Sequence, residues 1–331
     1  MRRIVLLALL AAQAGSSPAA ASGEALALER RLGAVFAENA PKVVRIKAAY
    51  GNGEDDGQVS LRVGTGFFVS SDGLVLANAS VTEGARRVWV ERGEASLPAE
   101  MVGSDSETNL ALLRVNGQGK GSFPFIPVDP RKPPAVGTLL LSIGCALEFD
   151  PAPRLGLVSG RDSNFGQRVF PTAYVRTTIS ANPGEGGSPV MDLNGRLLGM
   201  IVASLPEVSA SYVIPASAIG KVRDDLLLDG EVQHGWIGME VEDRPREAGD
   251  PAPLVVTRVA PGGPAAGAGL REGDRISAVD GTPLDGINEL RHRFFLARVG
   301  QFLDFTLARE EGEETVSVRV ANRPPPPDEA P

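Results

Sequence analysis

The sequence is short of the residues on which most nucleophilic and metal chemistry depends: 331 residues contain one cysteine and two histidines. A solitary Cys145 rules out an internal disulfide. His234 and His292 are isolated and the carboxylates are scattered, so neither a metal centre nor an organic cofactor is indicated. Aromatic residues make up 5% of the chain, whereas 39 glycines and 26 prolines punctuate it. That balance favours short strands joined by tight turns over a long helical bundle. Positive charge is also in deficit, and a net charge of −8 speaks against nucleic acid as a partner. No apolar run reaches the roughly 20 residues that a membrane-spanning helix needs.

What is present begins with Arg2 and Arg3, an apolar run from Ile4 to Ala14, and small residues ending in Ala19-Ala20-Ala21 before Ser22. This is the pattern of a secretory signal over 1–21, with cleavage after Ala21, and it implies export to the periplasm or beyond. Loss of the two arginines takes the remaining chain from −8 to −10. Hydrophobic content of 43% with 22% charged residues is that of a globular protein, and the length allows two domains. Leu28, Leu32, Val35 and Phe36 fall at helical spacing, which predicts a helical segment within 22–42, stopped at Pro41. From Val43 to Ile214 the chain is a succession of short β-type runs, among them VVRIKAAY, TGFFVS, LALLRV, TLLLSIG and SYVI, separated by Gly, Pro, Asn and Asp turns. A helix follows Pro215, with Ile219, Val222 and Leu226 on one face and Gly230 closing it. The first globular unit therefore spans 43–230 and a second spans 235–322, with a Pro-rich tail over 323–331 that is expected to be mobile. No internal repeat is found. Cys145, in LLLSIGCALEF, is expected to be a buried core thiol.

Three segments of the first unit carry a resemblance. GTGFFVSSDGLVLANASV, SDSETNLALLRV and NPGEGGSPVMDLNG, in that order and with SYVIP in step, resemble the segments that hold the catalytic His, Asp and Ser in the HtrA (Deg) family of exported trypsin-like proteases. At those three places this chain has Ser80, Asn109 and Gly186. A serine hydroxyl is a weak nucleophile until a neighbouring base takes its proton, and both histidines follow all three segments. An amide at Asn109 cannot stabilise an imidazolium as a carboxylate does. Gly184, Gly186 and Gly187 still suit a loop whose backbone N–H groups converge on an oxyanion, with Glu185 putting a charge beside it. Ser188 stands two residues beyond the usual nucleophile position, a displacement of roughly 6 to 7 Å in extended chain, outside the roughly 3 Å reach of proton transfer. His234 is expected to be structural or solvated at the junction between the two units.

The C-terminal unit resembles the PDZ domain attached to HtrA proteases. PGGPAAGAGLREGD carries a turn, a short helix from Pro264 to Ala268 and a glycine exit at Gly269, and DRISAVDG gives a strand closed by an Asp280-Gly281 turn. Peptide capture in such domains uses a sheet edge plus backbone amides around a terminal carboxylate. Trp236, Ile237, Gly238 and Met239 fit that loop, and a helix in GINELRHRFFLARV, with Ile287, Leu290 and Phe294 on one face, should form the opposing wall. Leu290 and Phe294 are equally suited to filling the core. His292 points off that face and is expected to be solvated.

The expected fold class is mainly β, a trypsin-like double β-barrel followed by a PDZ domain. The expected function is that of an exported HtrA-like protein without a Ser-His-Asp triad, binding unfolded or C-terminal peptide segments of envelope proteins or joining an active HtrA-type protease. The resemblance implies a homotrimer. The alternatives are an HtrA/Deg endopeptidase with a rearranged active site and a structural envelope component.

Overall fold

The computed structural model describes residues 18–51, 59–115, 122–244, 253–310 and 312–324. Most of the signal segment and most of the Pro-rich tail thus lie outside the described residues. Helix α1 (Pro18–Asn39) leads into the first strand through a 3₁₀ turn at Ala40–Lys42. Val35 is buried and Leu32 and Phe36 pack beside it, but Leu28 is 37% exposed, so the apolar face of α1 is shorter than its spacing suggests.

Two closed six-stranded barrels follow. The first contains β1 (Val43–Tyr50), β2 (Ser60–Phe68), β3 (Leu74–Asn78), β4 (Arg87–Arg92), β5 (Ala95–Asp105) and β6 (Leu110–Val115), in the order β1-β2-β3-β6-β5-β4, with the short helix α2 (Ala79–Thr82) after β3. The second contains β7 (Leu139–Gly144), β8 (Ala152–Phe165), β9 (Arg168–Thr177), β10 (Pro189–Met191), β11 (Leu197–Leu205) and β12 (Ala210–Pro215), in the order β7-β8-β9-β12-β11-β10. Closure leaves neither barrel with an open sheet edge. The second order is the first shifted by six strands, so the fold repeats where the sequence shows no repeat. Turn placement and inward-outward alternation define this topology, and both survive complete replacement of the residues that satisfy them.

Each barrel has its own apolar interior, Ile46, Phe68, Val75 and Leu113 in one and Val158, Val175, Ile201 and Val213 in the other. A third cluster fills the space between them and contains Leu76, Leu112, Ile143, Cys145 and Met200. Helix α3 (Ala216–Leu228) closes this cluster with Ile219, Val222 and Leu226, and Gly230 in the left-handed region at φ 76° ends it. Cys145 is buried there, and burial pushes its thiol up to about 11.

The C-terminal unit is a sheet in the order β14-β15-β16-β18-β19, where β14 is Met239–Asp243, β15 Leu254–Val259, β16 Arg275–Val279, β18 Phe302–Arg309 and β19 Gly312–Arg319. Short pairs complete it: β13 (Gly235–Trp236) with β20 (Ala321–Asn322), and β17 (Thr282–Pro283) with β16 across the Asp280-Gly281 turn. Helices α4 (Pro264–Ala268) and α5 (Ile287–Leu296) pack on it over a core built around Val256, Ile276, Leu290, Phe305 and Val318. Strand β14 lies at the sheet edge and faces α5.

Helix α5 has two buried faces. Ile287, Leu290 and Phe294 turn to the C-terminal core, whereas Phe295 enters the cluster between the barrels. The expected solvated His292 is 7% exposed, held between Thr172 Oγ1 and Ser217 Oγ at 2.9 Å each. An imidazole opposite the groove face meets a second domain here and not water. Asn288 Nδ2 donates to Arg161 O at 2.8 Å, and Glu289 lies 3.8 Å from Arg161, tying the same helix to β8.

Candidate functional site

The three barrel segments meet in one place. Ser80 is exposed on α2, and its N–H donates to Asn109 Oδ1 at 2.8 Å. The Asn109 amide in turn donates to Val202 O at 2.8 Å, and the residue itself adopts φ 59°, a conformation Asn tolerates better than most residues. Thr65 joins the glycine loop to the first barrel: its N–H donates to Gly186 O at 2.9 Å and its hydroxyl to Gly184 O at 2.8 Å. The Asn78 side-chain amide sits between Gly187 N and Ile201 O, 3.2 Å from each, oriented to accept from one and donate to the other.

The glycine loop has a steric origin. Gly187 runs at φ 93°, and a Cβ there would stand 2.0 Å from Thr65 O. A Cβ on Gly186 would meet only the Asn78 amide, at 2.9 Å. Among the described residues, the N–H groups of Gly184 and Gly186 donate to no protein group, the condition required of an oxyanion donor. The charge expected beside this loop from Glu185 is absorbed elsewhere. Its carboxylate is 2% exposed, receives Arg154 Nε at 2.7 and 2.8 Å, and accepts from Asn182 N at 2.6 Å. Ser188 is 1% exposed and donates to Glu185 O at 2.6 Å, which leaves its oxygen turned into the protein.

No imidazole serves this cleft. His234, expected to be structural or solvated, is held at the junction: its Nε2 lies 3.1 Å from Asp105 and its Nδ1 3.7 Å from Glu107. Burial pulls its basicity down, but the bond and charge of Asp105 outweigh that and hold it above the ordinary value. Burial likewise pushes Asp105 up, and its bonds to His234 and Thr108 more than reverse the effect. Both nitrogens of His292 are engaged by the hydroxyls already described, and burial with the nearby Arg161 charge drops it to about 4.

The second candidate site is a cleft of about 410 Å³ between β14 and α5. Trp236, Ile237, Gly238, Met239, Leu290 and Phe294 all line it, so the loop and the helix singled out in the sequence come together. Their roles differ. Ile237 and Leu290 have their side chains in the core, at 3% and 2% exposure, so Ile237 offers the cleft backbone more than side chain. Gly238 adopts φ 76°, and the Trp236 indole lies 2.9 Å from where its Cβ would stand.

Profiles of known families match both halves, a trypsin-like peptidase domain over residues 64–200 and a PDZ domain over residues 235–320. Proteins named probable periplasmic serine endoprotease DegP-like are similar along most of the chain. The one from Halomonas elongata is 29% identical over 273 residues, covering 79% of this chain and 57% of the relative. The one from Bartonella henselae is 30% identical over 271 residues, covering 79% and 53%. Among solved structures, the HtrA-type protease AlgW with tripeptide has a TM-score of 0.70 at 25% identity, with 89% of this chain and 98% of that chain covered. The serine endoprotease from Yersinia pestis has a TM-score of 0.60 at 25% identity, with 88% and 98% covered. The chain belongs to the HtrA/Deg family. It spans about half the length of the curated HtrA/Deg relatives it matches.

On this HtrA/Deg scaffold the sequence reading missed the charged groups that line the cleft, Glu107, His234, Glu240, Glu242, Arg291 and Arg323. For Arg291 a signal existed, since it follows Ile287 by four residues and so shares the groove face of α5. Glu107, His234 and Arg323 reach the cleft only through the packing of one domain on the other, which no local pattern records. No described helix is long and apolar enough to cross a membrane, and no cluster of potential metal ligands occurs among the described residues.

Proposed function

We propose that this chain is an exported HtrA-like protein that holds polypeptide without cleaving it, using the β14–α5 cleft to bind C-terminal or unfolded segments of envelope proteins. The observation that carries this reading is the fate of the two histidines. One is committed to Asp105 and Glu107 and the other to Thr172 and Ser217. Asn109 meanwhile spends its side-chain oxygen on the Ser80 N–H and its amide on Val202 O. A hydroxyl without a base and a loop without a nucleophile leave only oxyanion contacts and binding, roughly 10³ to 10⁴ over water, on the order of 10⁶ below a complete triad. The cleft supports the binding half: an edge strand, loop N–H groups of Ile237 and Gly238 that donate to no protein group among the described residues, and an apolar helix wall are what a PDZ-type site offers an extended C-terminus. AlgW, of the same fold, is solved with a tripeptide.

The signal-like pattern over 1–21 supports export, to the periplasm or beyond, and the names of the DegP-like relatives are in keeping with the periplasm. A homotrimer, and association with an active HtrA-type protease, come from the family resemblance. Two measurements test the reading together. A fluorophosphonate probe should leave the wild-type protein unlabelled, and labelled peptides ending in a free apolar residue should titrate the cleft. Labelling of a serine, with casein digestion that the probe stops, would replace this function with that of an endopeptidase whose site is rearranged. Intact chain that binds no free C-terminal peptide would favour a purely structural role.

A further inference from the structure

Among the described residues, the cleft holds one cation with no anion set against it. Arg291 lines it from α5, half-buried, and its Nε is shielded from solvent with no hydrogen-bond partner. Burial pulls the guanidinium below its ordinary value, and no charge offsets this. The surrounding charged groups are otherwise accounted for: Glu107 faces His234 and Arg323, Glu240 pairs with Arg258, and Glu242 is exposed. A partly desolvated guanidinium without an anion is a standing cost, relieved by whatever brings a carboxylate to it.

We propose that Arg291 is a specificity-determining residue of the cleft, which selects extended peptides carrying an Asp or Glu side chain upstream of an apolar C-terminal residue. The inference rests on the peptide-binding reading above and deepens it by naming the ligand class. A peptide added to the edge of β14 runs alongside α5, with its terminal carboxylate at the Gly238 loop and its apolar end against Phe294. A side chain further back then meets Arg291, whose planar fork takes a carboxylate on two donors where an ammonium would offer a point charge.

The test uses the full chain and labelled decapeptides ending in a free apolar residue, with one glutamate walked through the four preceding positions, and glutamine counterparts. Affinity is read by fluorescence polarisation as the Glu/Gln ratio within each protein, so that a loss of fold lowers both arms alike. One position should favour glutamate by about tenfold, the scale of a hydrogen bond to a charged group. In Arg291→Gln that ratio should fall to one, and in Arg291→Glu a lysine at the same position should be preferred. Should Arg291→Gln fail to fold, the wild-type ratio must shrink as salt is raised. Equal binding of glutamate and glutamine at every position, with the peptides still bound, overturns this inference and leaves the groove intact. A glutamate preference unchanged in Arg291→Gln does the same. Binding of no peptide overturns both readings. C-terminal amidation supplies the last arm: if it costs affinity in the wild type but not in Arg291→Gln, the terminus and not a side chain is the partner of Arg291.

Discussion

Restoring the nucleophile alone should not restore proteolysis. In Gly186→Ser the new Cβ stands 2.9 Å from the Asn78 amide and clear of everything else within 4 Å apart from another atom of that side chain, so a small shift of Asn78 accommodates it. The new hydroxyl would lie beside the free N–H groups of Gly184 and Gly186, yet no imidazole is available to take its proton. Turnover therefore stays on the order of 10⁶ below an intact triad. Adding Ser80→His and Asn109→Asp changes the outcome. An aspartate keeps one oxygen on the residue 80 N–H, where Asn109 Oδ1 accepts at 2.8 Å. It loses the 2.8 Å donation to Val202 O and sets a second acceptor against that carbonyl, so the carboxylate must turn from Val202 toward the imidazole, at a cost of about 1–3 kcal/mol in stability. The assay is fluorophosphonate labelling in parallel with release of fluorescence from labelled casein. Wild type and Gly186→Ser should be silent, and the triple variant should label. Digestion of casein by wild type or by Gly186→Ser, stopped by the probe, would refute the reasoning, because a base would then have to exist where none is seen.

Stability should fall on acidification between about pH 6.5 and pH 4, because over that interval the unfolded chain protonates His292 and the folded protein does not. The loss amounts to about 3 kcal/mol. Below pH 4 both states are protonated and this contribution is flat, and His292→Gln should remove the slope from denaturant titrations run across the interval. His234 acts with the opposite sign: its raised value adds stability below the unfolded range that is lost as pH rises through the folded one. Replacing it with Ala should leave Asp105 half-satisfied and cost about 1–3 kcal/mol, measured as a lowered urea midpoint. Gly187→Ala should cost more than about 3 kcal/mol, combining left-handed strain with the clash on Thr65 O, and should reduce soluble yield.

The sequence made the β-rich, two-unit character of the chain legible through local signals that coincide with local structure. Pro264 to Ala268 with its Gly269 exit is a helix over those residues, and Ile219, Val222 and Leu226 are all buried. The groove face of α5 was readable for the same reason, since Ile287, Leu290 and Phe294 recur at helical spacing. What escaped depended on a second body. His292 and Phe295 sit on what looks like the outer face of an amphipathic helix, and only the barrel packed against that face makes them interior. Glu185 escaped likewise: its partner Arg154 is 31 residues away, on β8 across from the loop, and no spacing rule joins them.

The double commitment of α5 also determines how the protein can be taken apart. A fragment beginning near residue 235 would carry away a groove wall whose reverse side is a plug, Phe295, drawn from the seam between the barrels, with an imidazole stripped of both hydroxyl partners. The barrels left behind would gape at the same spot. Cutting between the two matched families, at a junction that looks like an ordinary linker in sequence, therefore wounds both pieces, and a usable excised domain calls for polar replacements at Phe295 and at its neighbour Leu296.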